Sequence, residues 1–282
     1  MSSQVNYASS TTSSSGRYIP PNKRSKAPAQ GLEGVVQDMS QLSMTKSPSP
    51  VSPVSKDVFQ PRGKTGLLWV KPDVSEAHVK GVDGILKAFP EGLRKHFRKN
   101  GCQIMLTRTM DEVFPEFKGT DTSLISGVQK AWCELKGLCR GKVVSIPEYF
   151  LYPKTKEWVA QVNTQGGVKV SRHETMHLLH NTSSLLWDFE ENEVNDEFYE
   201  AYMKDVRKLS SEQLQKYSYA IQTTDIEKPS MHGMKELFAK LAAVLHGGGC
   251  LGDSEGLKKA FPRVTEYLMQ GIKSVTKSAL KG

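Results

Sequence analysis

The run Arg172-His173-Glu174-Thr175-Met176-His177-Leu178-Leu179 sets two histidines four residues apart, with a glutamate directly after the first. On a helix, residues four apart lie one turn above each other, with β-carbons about 6 Å apart. Two imidazoles so placed can converge on one zinc ion, each nitrogen about 2.0–2.1 Å from it. Glu174 then stands beside the first imidazole, where its carboxylate can take a proton from a water that the metal has made acidic. One helical turn thus offers two ligands and a general base. With seven His in 282 residues, chance supplies such a pattern in on the order of one chain in a hundred. The competing reading is a pair of structural histidines flanking a glutamate on a solvated helix. Leu178-Leu179 argues against it by continuing the segment as an apolar, buried helix, and Val168-Lys169-Val170 ahead of the motif reads as an edge strand.

A hydrolytic zinc site needs three protein ligands and an open position. Two acids compete for the third place: Glu197, twenty residues after His177 (with Glu193 nearby), and Glu236, fifty-nine residues after it. Spacing alone does not choose between them. His180 and His232 are further donors, although His180, three residues past His177, is expected to rotate away from the pair.

Outward from the motif, strands precede helices. Leu67-Leu68-Trp69-Val70, residues 103–107 and residues 142–146 read as strands, with residues 158–162 as a further edge strand. Pro90 and Asn100-Gly101 bracket a helix through Leu93 and Phe97. Thr109-Met110-Asp111-Glu112 has capping-box spacing and predicts a short helix. After the motif, Phe198, Tyr202, Val206 and Leu209 recur at helical spacing, as do Leu237, Leu241 and Val244-Leu245 ahead of Gly247. Pro262 opens a last helix carrying Val264, Leu268, Ile272 and Val275 on one face. Strands first and helices last make an α+β layout.

The first sixty residues hold 14 Ser, 3 Thr and 6 Pro. Such a stretch cannot bury enough apolar surface to offset the entropy of ordering it. The expected division is a disordered tail over residues 1–61 and one folded domain over residues 62–282. Residues 1–56 also carry six basic groups against two acidic ones, half of the net charge of +8. The folded part is close to balanced, and no basic stripe of the kind that follows phosphates is visible in it. No nucleic-acid partner is expected. No apolar run approaches the length of a membrane span, and the chain starts without a signal peptide, so the expectation is a soluble monomer, cytoplasmic or exported by a leaderless route. Cys102, Cys133, Cys139 and Cys250 form no CxxC pair, which excludes a cysteine zinc finger.

Several pieces, in order, resemble the catalytic domain of the anthrax lethal factor family, zinc metallopeptidases of the HExxH zincin type. They are Phe114-Pro115-Glu116-Phe117-Lys118-Gly119, residues 142–148, the zinc motif at 173–177, Glu197-Phe198-Tyr199-Glu200-Ala201-Tyr202 with Asp205, Glu236-Leu237-Phe238-Ala239, and Phe261-Pro262. The resemblance spans about two-thirds of the chain. It implies a zincin-like fold with a small mixed sheet, an active-site helix and C-terminal helices. It implies a Zn2+ cofactor held by His173, His177 and Glu236, with Glu174 as general base, leaving Glu193 and Glu197 as exposed acids. The implied activity is endopeptidase cleavage of a protein substrate bound in extended form, with the strand at 142–146 expected to pair with it. A role as a toxin or host-targeted effector is consistent with the family. Three positions depart from its pattern. Pro229 stands where the family has an oxyanion-stabilising tyrosine, for which His232, Tyr217 or Tyr219 could substitute. Lys240 replaces a second glutamate, and His180 replaces an aspartate that often follows the motif. These departures motivate an alternative, a catalytically decayed zincin-fold binding module.

Overall fold

The computed structural model describes residues 59–113, 132–161, 165–223, 226, 229–247 and 253–282, without the side chains of residues 165, 166 and 168. The tail over residues 1–58, the segment at 114–119 and Cys250 lie outside the described residues. Gln60–Arg62 (β1), Leu68–Val70 (β2), Gln103–Thr107 (β3), Leu138–Arg140 (β4) and Val143–Pro147 (β5) form a mixed sheet in the order β1-β2-β3-β5-β4. The central strands run parallel, with Leu68 opposite Ile104 and Leu106 opposite Ile146. The outer strands β1 and β4 pair antiparallel. Leu68, Val70, Ile104, Leu106, Val144 and Ile146 are all buried, as parallel strands covered by helices require. β1 straddles the expected boundary between tail and domain.

Two helices connect β2 to β3: Glu76–Lys87 (α1), whose N-cap Ser75 accepts from the His78 amide, and Glu91–Lys99 (α2). α2 is flanked by Pro90 at its N-cap and Asn100 at its C-cap, followed by Gly101 at φ 70°, the glycine-after-helix stop that the sequence announces. Thr109 opens only a single 3₁₀ turn, Met110–Glu112; its hydroxyl donates to the Glu112 carboxylate rather than capping a backbone amide. Tyr149–Leu151 (β6) and Trp158–Ala160 (β7) form a separate hairpin.

The motif helix, Gln165–Thr182 (α3), starts earlier than its sequence suggests. Val168 and Val170 are helical, so the edge strand expected there is absent. Packing explains the difference. A β-carbon on Gly167 would sit 2.2 Å from the Gln161 carbonyl oxygen, so only glycine allows this approach, and Ser171 Oγ donates to the Gly167 carbonyl. Met176, Leu178 and Leu179 are fully buried. That anchoring outweighs the mild helix penalty of two β-branched residues. Truncating Leu179 to alanine would cost about 2–5 kcal/mol.

After a two-strand turn, Trp187–Asp188 (β8) with Glu193–Val194 (β9), come Asp196–Val206 (α4), Ser211–Ile221 (α5), Met231–Leu245 (α6), Ser254–Ala260 (α7) and Pro262–Lys281 (α8). Leu209 falls beyond the end of α4. The buried Asp205 carboxylate accepts from the Arg263 and Val264 amides at 2.8 and 3.0 Å, capping α8 from another helix. No helix among the described residues is long and apolar enough to cross a membrane.

Candidate metal centre

His173 and His177 project from one face of α3, their ring centroids 4.6 Å apart and nearly perpendicular. α6 packs against that face. Four of its nine buried residues are small, Gly233, Ala239, Ala242 and Ala243, set among Met234, Leu237, Phe238, Lys240 and Leu241. Its first turn is pinned as well. Ser230 Oγ accepts from the Gly233 amide, and a β-carbon at Gly233 would lie 1.7 Å from the Ile221 carbonyl oxygen. Glu236 is thereby held one turn into α6, facing the imidazoles.

The three side chains meet. The Nε2 atoms of His173 and His177 are 3.1 Å apart, Glu236 Oε2 is 3.4 Å from His173 Nε2, and Glu236 Oε1 is 3.4 Å from His177 Nε2. All three residues offer a donor atom within 4.8 Å of the other two, the arrangement of a group that could hold a metal ion. Two ligands bound about 2.0–2.1 Å from a common tetrahedral ion stand about 3.3–3.4 Å apart. The observed separations fit that spacing with little adjustment.

The protonation of the group also suits a cation. Burial pulls the His173 imidazole below its ordinary pKa, which favours the neutral ring that a metal requires. Burial would raise the Glu236 carboxyl, but its contacts with His173 and His177 and the charge of Lys240 outweigh it and hold the group far below the ordinary carboxylate range. Glu236 is therefore ionised.

Glu197 and Glu193 are exposed and stand outside the group. Glu174, next to His173 on α3, lies against the turn before β4: a β-carbon on Gly137 would sit 2.8 Å from Glu174 Cγ. Of the residues expected near the site, His232 is half-buried and feels the charges of Glu236 and His177, and Tyr219 lies under the Lys240 ammonium at 5.5 Å. Tyr217 is turned elsewhere, its hydroxyl donating to Asp253 Oδ2 at 3.2 Å and its ring packed on Phe261.

Two contacts go beyond the sequence reading. His180 does not rotate out of play: its Nε2 sits 2.8 Å from His177 Nδ1. The i, i+3 spacing carried that signal, because such residues are neighbours on a helix surface. Lys240 is buried and its ammonium donates to Glu236 Oε2.

No family model matches the sequence, and no curated protein matches it. Among solved structures, a PRO-PRO endopeptidase from Paenibacillus alvei is similar to 72% of this chain over 96% of its own length, with 17% identity and a TM-score of 0.42.

Proposed function

We propose that the chain is a zinc-dependent endopeptidase of zincin type, with His173, His177 and Glu236 as the metal ligands and Glu174 as the general base. The observation that carries this reading is the mutual spacing of the three donors, 3.1, 3.4 and 3.4 Å, contributed by two separate helices and matched to a single tetrahedral ion. Zinc bound there supplies a Lewis acid for the scissile carbonyl and lowers the pKa of a bound water toward about 7. Glu174 removes the proton from the attacking water and hands a proton to the leaving amine. His232 and Tyr219 would be candidates to donate to the developing oxyanion.

The substrate strand is reassigned. The strand at 142–146 is β5, which is paired on one side with β3 and on the other with β4, so its main chain is already engaged. β4 is outermost in the sheet, and the turn before it touches Glu174. An extended peptide adding antiparallel or parallel to β4 would pass in front of the general base, with main-chain pairing giving general affinity and side-chain pockets giving specificity.

The test compares zinc-loaded wild type with Glu174→Gln on a cell-extract proteome, reading new protein N-termini by mass spectrometry. New termini only with the wild type support the endopeptidase. Identical terminus patterns would leave the decayed binding module as the better reading. Zinc content separates the ligand question: Glu236→Gln should lose metal, and Glu197→Gln should keep it.

A further inference from the structure

Ten residues along α6 from Glu236, about 15 Å away, the helix ends at Leu245 and His246 beside α8. A groove of about 520 Å³ opens there between Pro90, the end of α6 and the outer face of α8. Its walls are apolar: Pro90, Leu245, Met269, Ile272 and Leu280. Met269 and Leu280 are 43% and 54% exposed, two of the few large apolar side chains left open to solvent among the described residues. Beside this apolar row run Lys273, Lys277 and Lys281, one per helical turn, and no acidic residue lines the groove. Two buried polar atoms of the lining, His246 Nε2 and Thr276 Oγ1, have no hydrogen-bond partner among the described residues.

We propose that this groove binds a single-chain anionic amphiphile, a medium- or long-chain fatty acid, with its alkyl chain along α8 and its carboxylate among the lysines. The volume lies within the range of small-molecule sites, about 300–1,000 Å³, which are mostly apolar with a few placed polar groups. From Met269 to Leu280 the apolar row runs about 17 Å along the helix, a length suited to an extended acyl chain. A hydrocarbon needs no hydrogen bonds from the apolar row. Charge disfavours a second copy of the chain, which would present the same lysines. A bilayer surface meets protruding side chains rather than a concave slot.

The experiment is calorimetric titration of the full-length protein with octanoate, decanoate and laurate, each below its micelle concentration. Each methylene that stays in the groove should tighten Kd about fourfold, or roughly fifteenfold per two-carbon step. Dodecanol, of equal chain length but uncharged, should bind at least tenfold more weakly than laurate. The double variant Lys273→Glu/Lys277→Glu should weaken laurate tenfold or more and leave dodecanol unchanged. Leu280→Asp, at an exposed position, should flatten the chain-length gradient, with circular dichroism confirming that each variant folds. Equal binding of laurate and dodecanol, the absence of a chain-length gradient, or a gradient untouched by Leu280→Asp would each overturn the proposal. So would co-sedimentation with phosphatidylserine vesicles, or binding of a Glu/Leu amphipathic peptide, without laurate binding.

Discussion

His180 Nε2 lies 2.8 Å from His177 Nδ1, and the two rings stand perpendicular with centroids 5.0 Å apart. One of those nitrogens carries the shared proton. Burial, followed by the charges of His177 and Lys235, pushes His180 well below its ordinary pKa, so its ring is neutral and its Nε2 can accept. His177 Nδ1–H then donates, which leaves the Nε2 lone pair of His177 free to bind a metal ion. Outer contacts of this kind typically change metal affinity 10–100-fold. His180→Ala should weaken zinc binding by that factor in a competition titration with a chromophoric chelator. His180→Asp, which restores an acceptor, should recover part of it. Unchanged affinity in His180→Ala would show that His177 is oriented by packing alone.

Lys240 poses a different question, because its ammonium holds Glu236 and also brings positive charge close to a divalent ion. Two effects oppose each other when the lysine is replaced. Losing the hydrogen bond loosens Glu236, and losing the charge relieves repulsion, which amounts to several kcal/mol at about 5 Å and an effective dielectric near 20. Because the ion carries two charges and glutamine keeps a donor to Glu236, relief of the repulsion should exceed the loss of the contact. Lys240→Gln, which keeps an N–H donor without the charge, should bind zinc about tenfold more tightly. A weaker affinity would mean that the contact acts chiefly by holding the carboxylate in place.

The motif helix and its partner were legible because their chemistry sits in side-chain types at helical spacing: His173 and His177 four apart, and an apolar row on α6. The third member of the group was not settled by spacing, since bringing Glu236 rather than Glu197 to the imidazoles depends on how α6 packs on α3. α5 escaped notice although Ser210 and Gln213 form a full capping box in the structure. α1 was missed for a similar reason, as its cap, Ser75, is embedded in a polar stretch. Three-residue strands such as β4 and β6 hold too few residues for alternation to register. Val168 and Val170 misled for the opposite reason: their side-chain type spoke for a strand, while the close approach at Gly167 decided for a helix.

Gly137, directly before β4, lies against Glu174 and Val170 of α3. A β-carbon there would sit 2.8 Å from Glu174 Cγ and 2.9 Å from Val170 Cγ1, so either the outer strand or the Glu174 side chain must move. Displacing a catalytic group by about 1 Å can cost up to a hundredfold in rate. Gly137→Ala should lower kcat about ten- to a hundredfold while zinc content, measured by atomic absorption, stays at the wild-type level. A variant that loses zinc together with activity would place the damage at the histidines, and one that loses neither would show that the strand yields freely.

Acid stability should depend on histidines outside the His173–His177–Glu236 group. Burial pulls His78 down despite the carbonyl of Ile146 and the charge of Glu148, and burial likewise lowers His96 and His246. His78 shows why. Its Nε2 is 3.4 Å from the Ile146 carbonyl oxygen, to which it donates, and its Nδ1 is buried without a partner among the described residues. A second proton would enter the core with nothing to receive it. His96 is similar, with Nε2 at 3.1 Å from Thr182 Oγ1, a hydroxyl that already donates to the Leu178 carbonyl, and with Nδ1 facing the Asn100 amide. In each case the folded pKa lies below the unfolded value of about 6.5. Below about pH 6.5 the unfolded chain therefore binds more protons than the folded one, and stability is lost as the pH falls through that value toward the folded pKa values. The urea midpoint, measured with a chelator present so that metal release does not contribute, should decline from pH 7.5 to 5.5. His78→Gln, which keeps a donor for Ile146 but cannot titrate, should make the decline shallower. An equally steep decline in that variant would assign the acid sensitivity to other groups.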